Sequence, residues 1–199
     1  MKAMENDDNE NLVLDVGCSI GHMGKILSIC GFEVVGTDIK SNDVWKKIGT
    51  NNLQFFQSDV EHLPVQEKTF NCVGAFAVLE HVKDVPSFLY GVNKVLKDRG
   101  ILIISQLPSA FGWTEFPNRV LNKSVHERHY KKHEVLSLLN ENGFQLLHFS
   151  YDHFLPQFLP INFLNKIWNR CAKGLHKIDR VLSLLPLSHS LNIICRKFR

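Results

Sequence analysis

The most constraining feature of this sequence is a regular alternation between short, wholly apolar runs and longer segments of helical periodicity. The helical segment Gly21–Cys30 places Met23, Ile26 and Leu27 on one face, and Gly31 follows it where a helix commonly ends. Strands that are apolar on both faces and separated by helices are typical of a parallel sheet covered on both sides. The pattern therefore predicts a doubly wound α/β fold. The apolar runs predict five strands in this half of the chain: Asn11–Val16, Phe32–Thr37, Leu53–Gln57, Asn71–Ala77 and Ile101–Ser105.

The rest of the chain extends this pattern more loosely. Its length of 199 residues favours a single domain, residues 1–199, with a core large enough to fold unaided. An insertion at 153–189 interrupts the second half before the last strand. The other predicted elements are a helix over Asp84–Leu96, a turn over Asp98–Gly100, a long loop over Leu107–Lys123, a helix over Lys132–Asn142 and strands over Phe144–Tyr151 and Ser190–Arg196.

Composition and charge indicate the cellular compartment of the protein and the kind of partner it could bind. The five cysteines form no C-x-x-C pair, which argues against a zinc site and favours a reducing compartment. The N-terminus lacks the apolar core of a secretory signal, and no apolar run reaches the length of about 20 residues that spans a bilayer. The expected location is the cytoplasm. Residues 1–100 hold 10 basic and 14 acidic side chains, whereas residues 101–199 hold 13 and 6, so an anionic partner would meet the second half.

Small and polar residues follow the predicted strands at one edge of the sheet, where doubly wound folds bind their ligands. Gly17 and Gly21 permit a sharp turn after the first strand, and the next helix directs free N–H groups toward the same place. Asp38 follows the second strand as a carboxylate that can accept both hydroxyls of a ribose. Ser58, Asp59 and Val60 follow the third strand and offer polar and apolar contacts that suit an adenine ring. Phe76 and Ala77 end the fourth strand.

Taken in order and spacing, these stretches resemble the class I S-adenosylmethionine (SAM)-dependent methyltransferases. The resemblance is strongest to the type 11 group, which includes the ubiquinone and menaquinone biosynthesis methyltransferases, and it covers roughly residues 12–150. It implies a seven-stranded, mainly parallel, Rossmann-like sheet with helices on both faces and the last strand antiparallel. The matching stretches are VLDVGCSIG (13–21), VVGTDI (34–39), FFQSDVEHLP (55–64), FNCVGAFAVLEHVKD (70–84) and VLKDRGILIIS (95–105).

The resemblance also implies SAM as the cofactor and a role for each motif residue. Asp15, Gly17, Cys18 and Gly21 would wrap the methionine portion and the sugar of SAM. Asp38 would hold the ribose hydroxyls, Ile39 would pack on the adenine, and the adenine edge would meet Ser58, Asp59 and Val60. Phe76 and Ala77 would face the methionine end. The sequence departs from the family pattern at Ser19, where glycine is common, and at Asn71, where aspartate is usual.

Rival functions remain open. A nicotinamide-binding oxidoreductase would carry G-x-G-x-x-G, but Ser19 occupies the second glycine position. A phosphate-binding loop fails because Gly24-Lys25 is followed by Ile26 rather than by serine or threonine. A non-catalytic subunit that keeps only the fold is a third alternative, and the three carboxylates at the strand ends argue against it.

Methyl transfer from a sulfonium is an in-line displacement, so the protein mainly positions the reactants and excludes water. A general base is needed only for a poor nucleophile such as a hydroxyl. The candidates are His81, beyond the fourth strand, and His126 and His129 in a segment that resembles a substrate-covering stretch of related methyltransferases. His126-Glu127-Arg128-His129-Tyr130 does not match the zinc motif H-E-x-x-H, so no metal is predicted. The expected acceptor is a small molecule with an oxygen or carbon nucleophile, of amphiphilic, quinone-like, lipid-like or glycan type.

The insertion carries a leucine-rich stripe at helical spacing, opposite a basic face. This pattern predicts either a helical cap packed on the domain or on a second subunit, or a lid that contacts a lipid or membrane surface through 160–185. Nucleic acid ranks below a small molecule, because the basic residues are not interleaved with stacking aromatic residues. The sequence leaves the oligomeric state open.

Overall fold

A computed structural model of the chain describes residues 11–112, 128–152, 179, 183 and 188–198. Within these residues the chain forms one mixed seven-stranded sheet with the strand order β3-β2-β1-β4-β5-β7-β6. The strands are β1 (Leu12–Val16), β2 (Glu33–Asp38), β3 (Leu53–Gln57), β4 (Phe70–Phe76), β5 (Leu96–Pro108), β6 (Phe144–Asp152) and β7 (Ser190–Lys197). The described helices are α1 (His22–Ile29), α2 (Val44–Ile48), α3 (Val85–Val95), α4 (Lys132–Glu141) and a 3₁₀ turn at Leu79–His81.

The sheet topology confirms the predicted doubly wound fold. β1 to β5 pair in parallel, whereas β7 lies antiparallel between β5 and β6. The chain runs outward from β1 to β2 and β3, and then crosses back to β4 on the other side of β1. The switch point therefore lies between β1 and β4, and this is where such sheets open a crevice for a ligand.

The core explains why the apolar runs predicted the strands. Leu14, Val73 and Leu102 from the central strands are completely buried, and Phe88 and Leu89 of α3 cover them from one face. α3 starts where expected because the Asp84 side chain accepts a hydrogen bond from the Ser87 N–H, as an N-cap residue does. Because the apolar face of α3 packs on the sheet, the start of the helix at Asp84 is held in place.

Several local features differ from the sequence prediction. The predicted turn at Asp98–Gly100 is wrong, because these residues belong to β5. Phe70 pairs with Leu96 whereas Cys72 pairs with Ile101, so β5 takes up its extra residues in a bulge, with a φ of 63° at Arg99. α2 and the 3₁₀ turn were not predicted. The predicted loop over Leu107–Lys123 begins too early, because Leu107 and Pro108 are the last residues of β5 and pair with β7. Its residues 113–123, and almost all of the insertion at 153–189, lie outside the described residues.

Candidate cofactor and active site

The turn between β1 and α1 is shaped by two glycines in the left-handed backbone region. Gly17 has a φ of 66° and Gly21 a φ of 82°. A Cβ atom at Gly17 would lie 2.5 Å from Val78 Cγ2, and one at Gly21 would lie 2.6 Å from the Phe55 ring. No other residue fits these two positions without displacing the neighbouring side chain, so the glycines keep the turn tight at the switch point.

Asp15 places a buried carboxyl group beneath this turn. Its side chain is 1% exposed, and its Oδ2 atom has no hydrogen-bond partner. Burial raises the pKa of Asp15 from 3.8 to about 7; the Gly24 N–H opposes this rise, and the nearby Asp38 carboxylate adds to it. A buried carboxyl oxygen without a partner is costly unless a ligand completes its bonding. This group suits a ligand that brings a cation or a hydrogen-bond donor.

Asp38 ends β2 with its carboxylate oriented by two backbone groups. Its Oδ2 accepts the Ser19 N–H at 2.9 Å and its Oδ1 accepts the Lys40 N–H at 3.1 Å. A carboxylate oxygen has more than one acceptor direction, so each oxygen retains capacity for a hydroxyl donor. The next side chain, Ile39, is 60% exposed and offers an apolar surface beside the carboxylate. This geometry suits a ribose with an adjoining flat ring.

The loop after β3 lies beside Asp38. The Ser58 N–H donates to the Asp38 carbonyl oxygen at 3.0 Å, which joins the two strand ends. The Ser58 hydroxyl bonds to the carbonyl oxygens of Asp59 and His62, so it serves the loop itself. The exposed Asp59 accepts the Glu61 N–H at 2.9 Å, and Val60 is half-buried against the core. The structure thus brings together the residues predicted to contact adenine.

Cys18 follows β1, and Phe76 and Ala77 lie at the end of β4, at the same edge of the sheet. Cys18 is buried, and its N–H donates to the Thr37 carbonyl oxygen at 3.0 Å. Burial, together with the carboxylates of Asp15 and Asp38, raises the pKa of the Cys18 thiol, so it stays protonated and acts as an apolar surface. Ala77 has a φ of 55°. Backbone strain of this kind is concentrated at ligand sites.

A residue that sequence reasoning missed supports this turn. Trp45 of α2 is 8% exposed, and its indole N–H donates to the Ser19 carbonyl oxygen at 2.7 Å. Its ring stacks on Phe55 at 5.2 Å between centroids and 9° between planes. The one available sequence signal was a tryptophan within the polar segment that follows Asp38.

Two of the candidate histidines lie on segments that contact each other. His81 is exposed on the 3₁₀ turn after β4. On the second segment, Arg128 donates to the carbonyl oxygens of Val82 and Lys83 at 3.4 and 3.5 Å, and the Tyr130 hydroxyl donates to the Leu79 carbonyl oxygen at 3.0 Å. We call these three contacts, made by Arg128 and Tyr130, the clasp.

The clasp joins the segments that carry two of the candidate histidines, His81 and His129. His129 lies between its two donor residues and is half-buried. Burial raises the pKa of the Tyr130 hydroxyl, so it remains a donor at neutral pH. The third candidate, His126, lies outside the described residues. In the part of the chain that the structure describes, no group of three potential metal-ligating side chains comes together, and no helix is long and apolar enough to cross a bilayer.

Together, the strand order and the carboxylates on or just after β1, β2 and β3 are those of the class I SAM-dependent methyltransferase fold. A family model described as a methyltransferase domain matches residues 1–149. The chain belongs to this family of methyltransferases, and its cofactor is SAM.

Relatives in sequence carry a more specific name. The chain is 33% identical over 112 residues to a ubiquinone biosynthesis O-methyltransferase of Rickettsia bellii, a match that covers 54% of this chain and 46% of the relative. It is 28% identical over 180 residues to the enzyme of the same name from Bartonella quintana, covering 81% and 68%. The chain thus spans about half the length of the first of these relatives.

Solved structures agree with the fold. A putative methyltransferase from Bacillus halodurans has a TM-score of 0.66 and 20% identity, with 94% of this chain and 93% of that one covered. A 1,6-didemethyltoxoflavin-N1-methyltransferase from Burkholderia thailandensis, solved with S-adenosylhomocysteine bound, has a TM-score of 0.62 and 18% identity, with 94% and 71% covered. At these identities the likeness establishes the fold alone.

Proposed function

We propose that this chain transfers the methyl group of SAM to a hydroxyl oxygen of a small, quinone-like aromatic acceptor. The observation that carries the cofactor part of the proposal is the pair of carboxyl groups on the neighbouring strands β1 and β2, with Asp15 buried beneath the glycine turn and Asp38 bonded to the Ser19 N–H of that turn. The names of the O-methyltransferase relatives support oxygen over carbon as the nucleophile and a quinone precursor as the acceptor.

The residues present fit the cofactor from end to end. Asp15 would receive the amino group, the backbone of the turn at Gly17, Cys18 and Gly21 would follow the methionine chain, and Asp38 would hold the ribose. Ile39, Ser58, Asp59 and Val60 would surround the adenine, and Phe76 and Ala77 would face the sulfur end. When bound, SAM supplies a methyl group already activated on a sulfonium.

The protein must then hold the acceptor and receive its proton. A hydroxyl is a poor nucleophile until a base takes its proton, and a neutral imidazole near the reacting atom can do this. We assign this role to His81 or His129, which lie on the two segments that the clasp holds together. The clasp fixes the relative position of these segments, and this supports alignment for in-line attack.

Titration calorimetry with S-adenosylhomocysteine tests the cofactor assignment. We expect saturable one-site binding, with no heat from NAD or ATP. Asp38→Ala should weaken this binding by roughly tenfold or more, because a hydrogen bond to a charged group contributes about 1.5–3 kcal/mol. Asp43→Ala is the matched control, since Asp43 is an exposed acid that pairs only locally with Lys46. Equal binding by wild type and Asp38→Ala would contradict the assignment.

Methylation of a catechol or hydroxyquinol probe, followed by mass spectrometry, tests the reaction. We expect a mass gain of one methyl group on oxygen with the hydroxylated probe and none when its hydroxyl is replaced by hydrogen. His81→Gln and His129→Gln should identify the base: the variant that loses it should show a lower kcat with an unchanged affinity for S-adenosylhomocysteine. Methyl incorporation that persists without the hydroxyl would contradict an oxygen acceptor.

Contact with a lipid surface through 160–185 stays a prediction from sequence, because nearly all of these residues lie outside the described part of the chain. Flotation with anionic liposomes at low salt tests it. Contact through the basic helix face would make the full chain float with anionic vesicles and not with neutral ones, whereas a helical cap packed on the domain would float with neither. A chain that stays at the bottom of the gradient with both would rule out the lipid contact.

A further inference from the structure

Ser19 adopts a backbone conformation that its side chain disfavours. It lies between the two glycines of the cofactor turn and has a φ of 49°. Residues with a Cβ atom rarely occupy this left-handed region, because the Cβ approaches the neighbouring carbonyl oxygen. The turn therefore depends on contacts from outside to keep Ser19 in place.

Both sides of the Ser19 residue are held by such contacts. Its N–H donates to Asp38 Oδ2 at 2.9 Å, and its carbonyl oxygen accepts the Trp45 indole N–H at 2.7 Å. Trp45 in turn is fixed by burial and by its stacking on Phe55. The Phe55 ring also fills the space beside Gly21 and Gly36, where a Cβ atom would lie 2.6 Å from it.

We propose that Trp45 is a positioning residue for the cofactor, which acts by holding Ser19, through the carbonyl group on its C-terminal side, in the conformation that directs its N–H at Asp38. The inference rests on the proposed cofactor site. With the indole bond in place, the Ser19 N–H points at Asp38 Oδ2 and orients the carboxylate toward the ribose. Without this bond, the strained turn relaxes and Asp38 loses one of its two backbone donors.

Trp45→Phe tests this directly, because phenylalanine keeps a ring that can stack on Phe55 and lacks the N–H donor. We expect the Kd for S-adenosylhomocysteine to rise about five- to tenfold, as the loss of one partly buried hydrogen bond implies. We expect KM for SAM to rise while kcat changes little. Val135→Ala, a cavity-forming change in α4 remote from the turn, should destabilise the protein without changing this Kd.

A second background separates positioning from a general loss of stability. Ser19→Gly removes the strain, since glycine adopts a positive φ freely. Adding Trp45→Phe to Ser19→Gly should then change the Kd by less than about twofold, a non-additive result. The same five- to tenfold loss in both backgrounds, or wild-type affinity in Trp45→Phe alone, would overturn the proposal.

Amide hydrogen exchange at Ser19, measured on the ligand-free protein, separates this inference from the proposed function. Exchange should be faster in Trp45→Phe than in wild type, and no faster in Val135→Ala. If wild type binds no S-adenosylhomocysteine, the cofactor site fails, while the exchange rate still reports whether Trp45 holds the turn. Unchanged exchange in Trp45→Phe would overturn the positioning role.

Discussion

Asp15 provides a quantitative test of the site, because an ionised carboxyl group is buried there at a cost to stability. In the unfolded chain the group ionises near its usual pKa of 3.8, whereas in the folded protein burial raises the pKa to about 7. One pKa unit corresponds to about 1.4 kcal/mol, so above pH 7 the ionised Asp15 lowers the free energy of unfolding by about 4 kcal/mol.

The sign follows from which state binds the proton more tightly. Below pH 3.8 Asp15 is protonated in both states and has no effect. Between pH 3.8 and 7 the folded state retains a proton that the unfolded state has lost, so stability falls as the pH rises, and above pH 7 the loss is complete. Asp15→Asn carries no charge, and its amide oxygen can still accept the Gly24 N–H.

We therefore expect Asp15→Asn to be more stable than wild type at pH 8, by about 4 kcal/mol, and by about 2 kcal/mol at pH 5. Urea unfolding at both pH values measures the two differences, and Asp43→Asn is the exposed control that should shift neither. The same variant should bind S-adenosylhomocysteine more weakly, because the buried charge is missing. Equal stability at pH 8, or a difference that does not shrink at pH 5, would refute the reasoning.

Two further substitutions probe the turn and the clasp. Gly21→Ala should lower the free energy of unfolding by more than about 1 kcal/mol, because the new Cβ would meet the Phe55 ring at a φ of 82°; urea unfolding measures this, and Gly91→Ala, with open space around the new atom, should not be destabilised comparably. Tyr130→Phe should cost about 1 kcal/mol of stability and lower kcat for the acceptor without changing the Kd for S-adenosylhomocysteine, since it frees the Leu79 carbonyl from the clasp. A rise in that Kd would instead place Tyr130 on the cofactor side.

The sequence predicted the layers of the fold well because burial on both faces leaves a strong signal. Apolar runs located the central strands, and the start of α3 followed from Asp84. The bulge at Arg99 could not be anticipated, since a short polar segment with glycine is equally typical of a turn. α2 is only five residues long, too short for a helical period to emerge.

For the site, the residues at the strand ends could be predicted because parallel strands deliver their ends to one edge. The residues that hold these strand ends in place, Trp45 and Tyr130, could not be predicted. Trp45 lies 26 positions from Ser19, and Tyr130 lies 51 positions from Leu79, so only the folded chain brings each pair together. No local pattern indicates that a tryptophan or tyrosine will donate to a distant backbone carbonyl.

The clasp has a consequence for how this domain can diverge. All three of its acceptors are main-chain carbonyl oxygens, at Leu79, Val82 and Lys83. The clasp therefore depends on the position of the backbone in this segment and not on the identity of its side chains. An exposed side chain in this segment, such as that of Lys83, can therefore change while Arg128 and Tyr130 keep their partners. The arrangement of the two segments can thus be retained while the exposed side chains on them change.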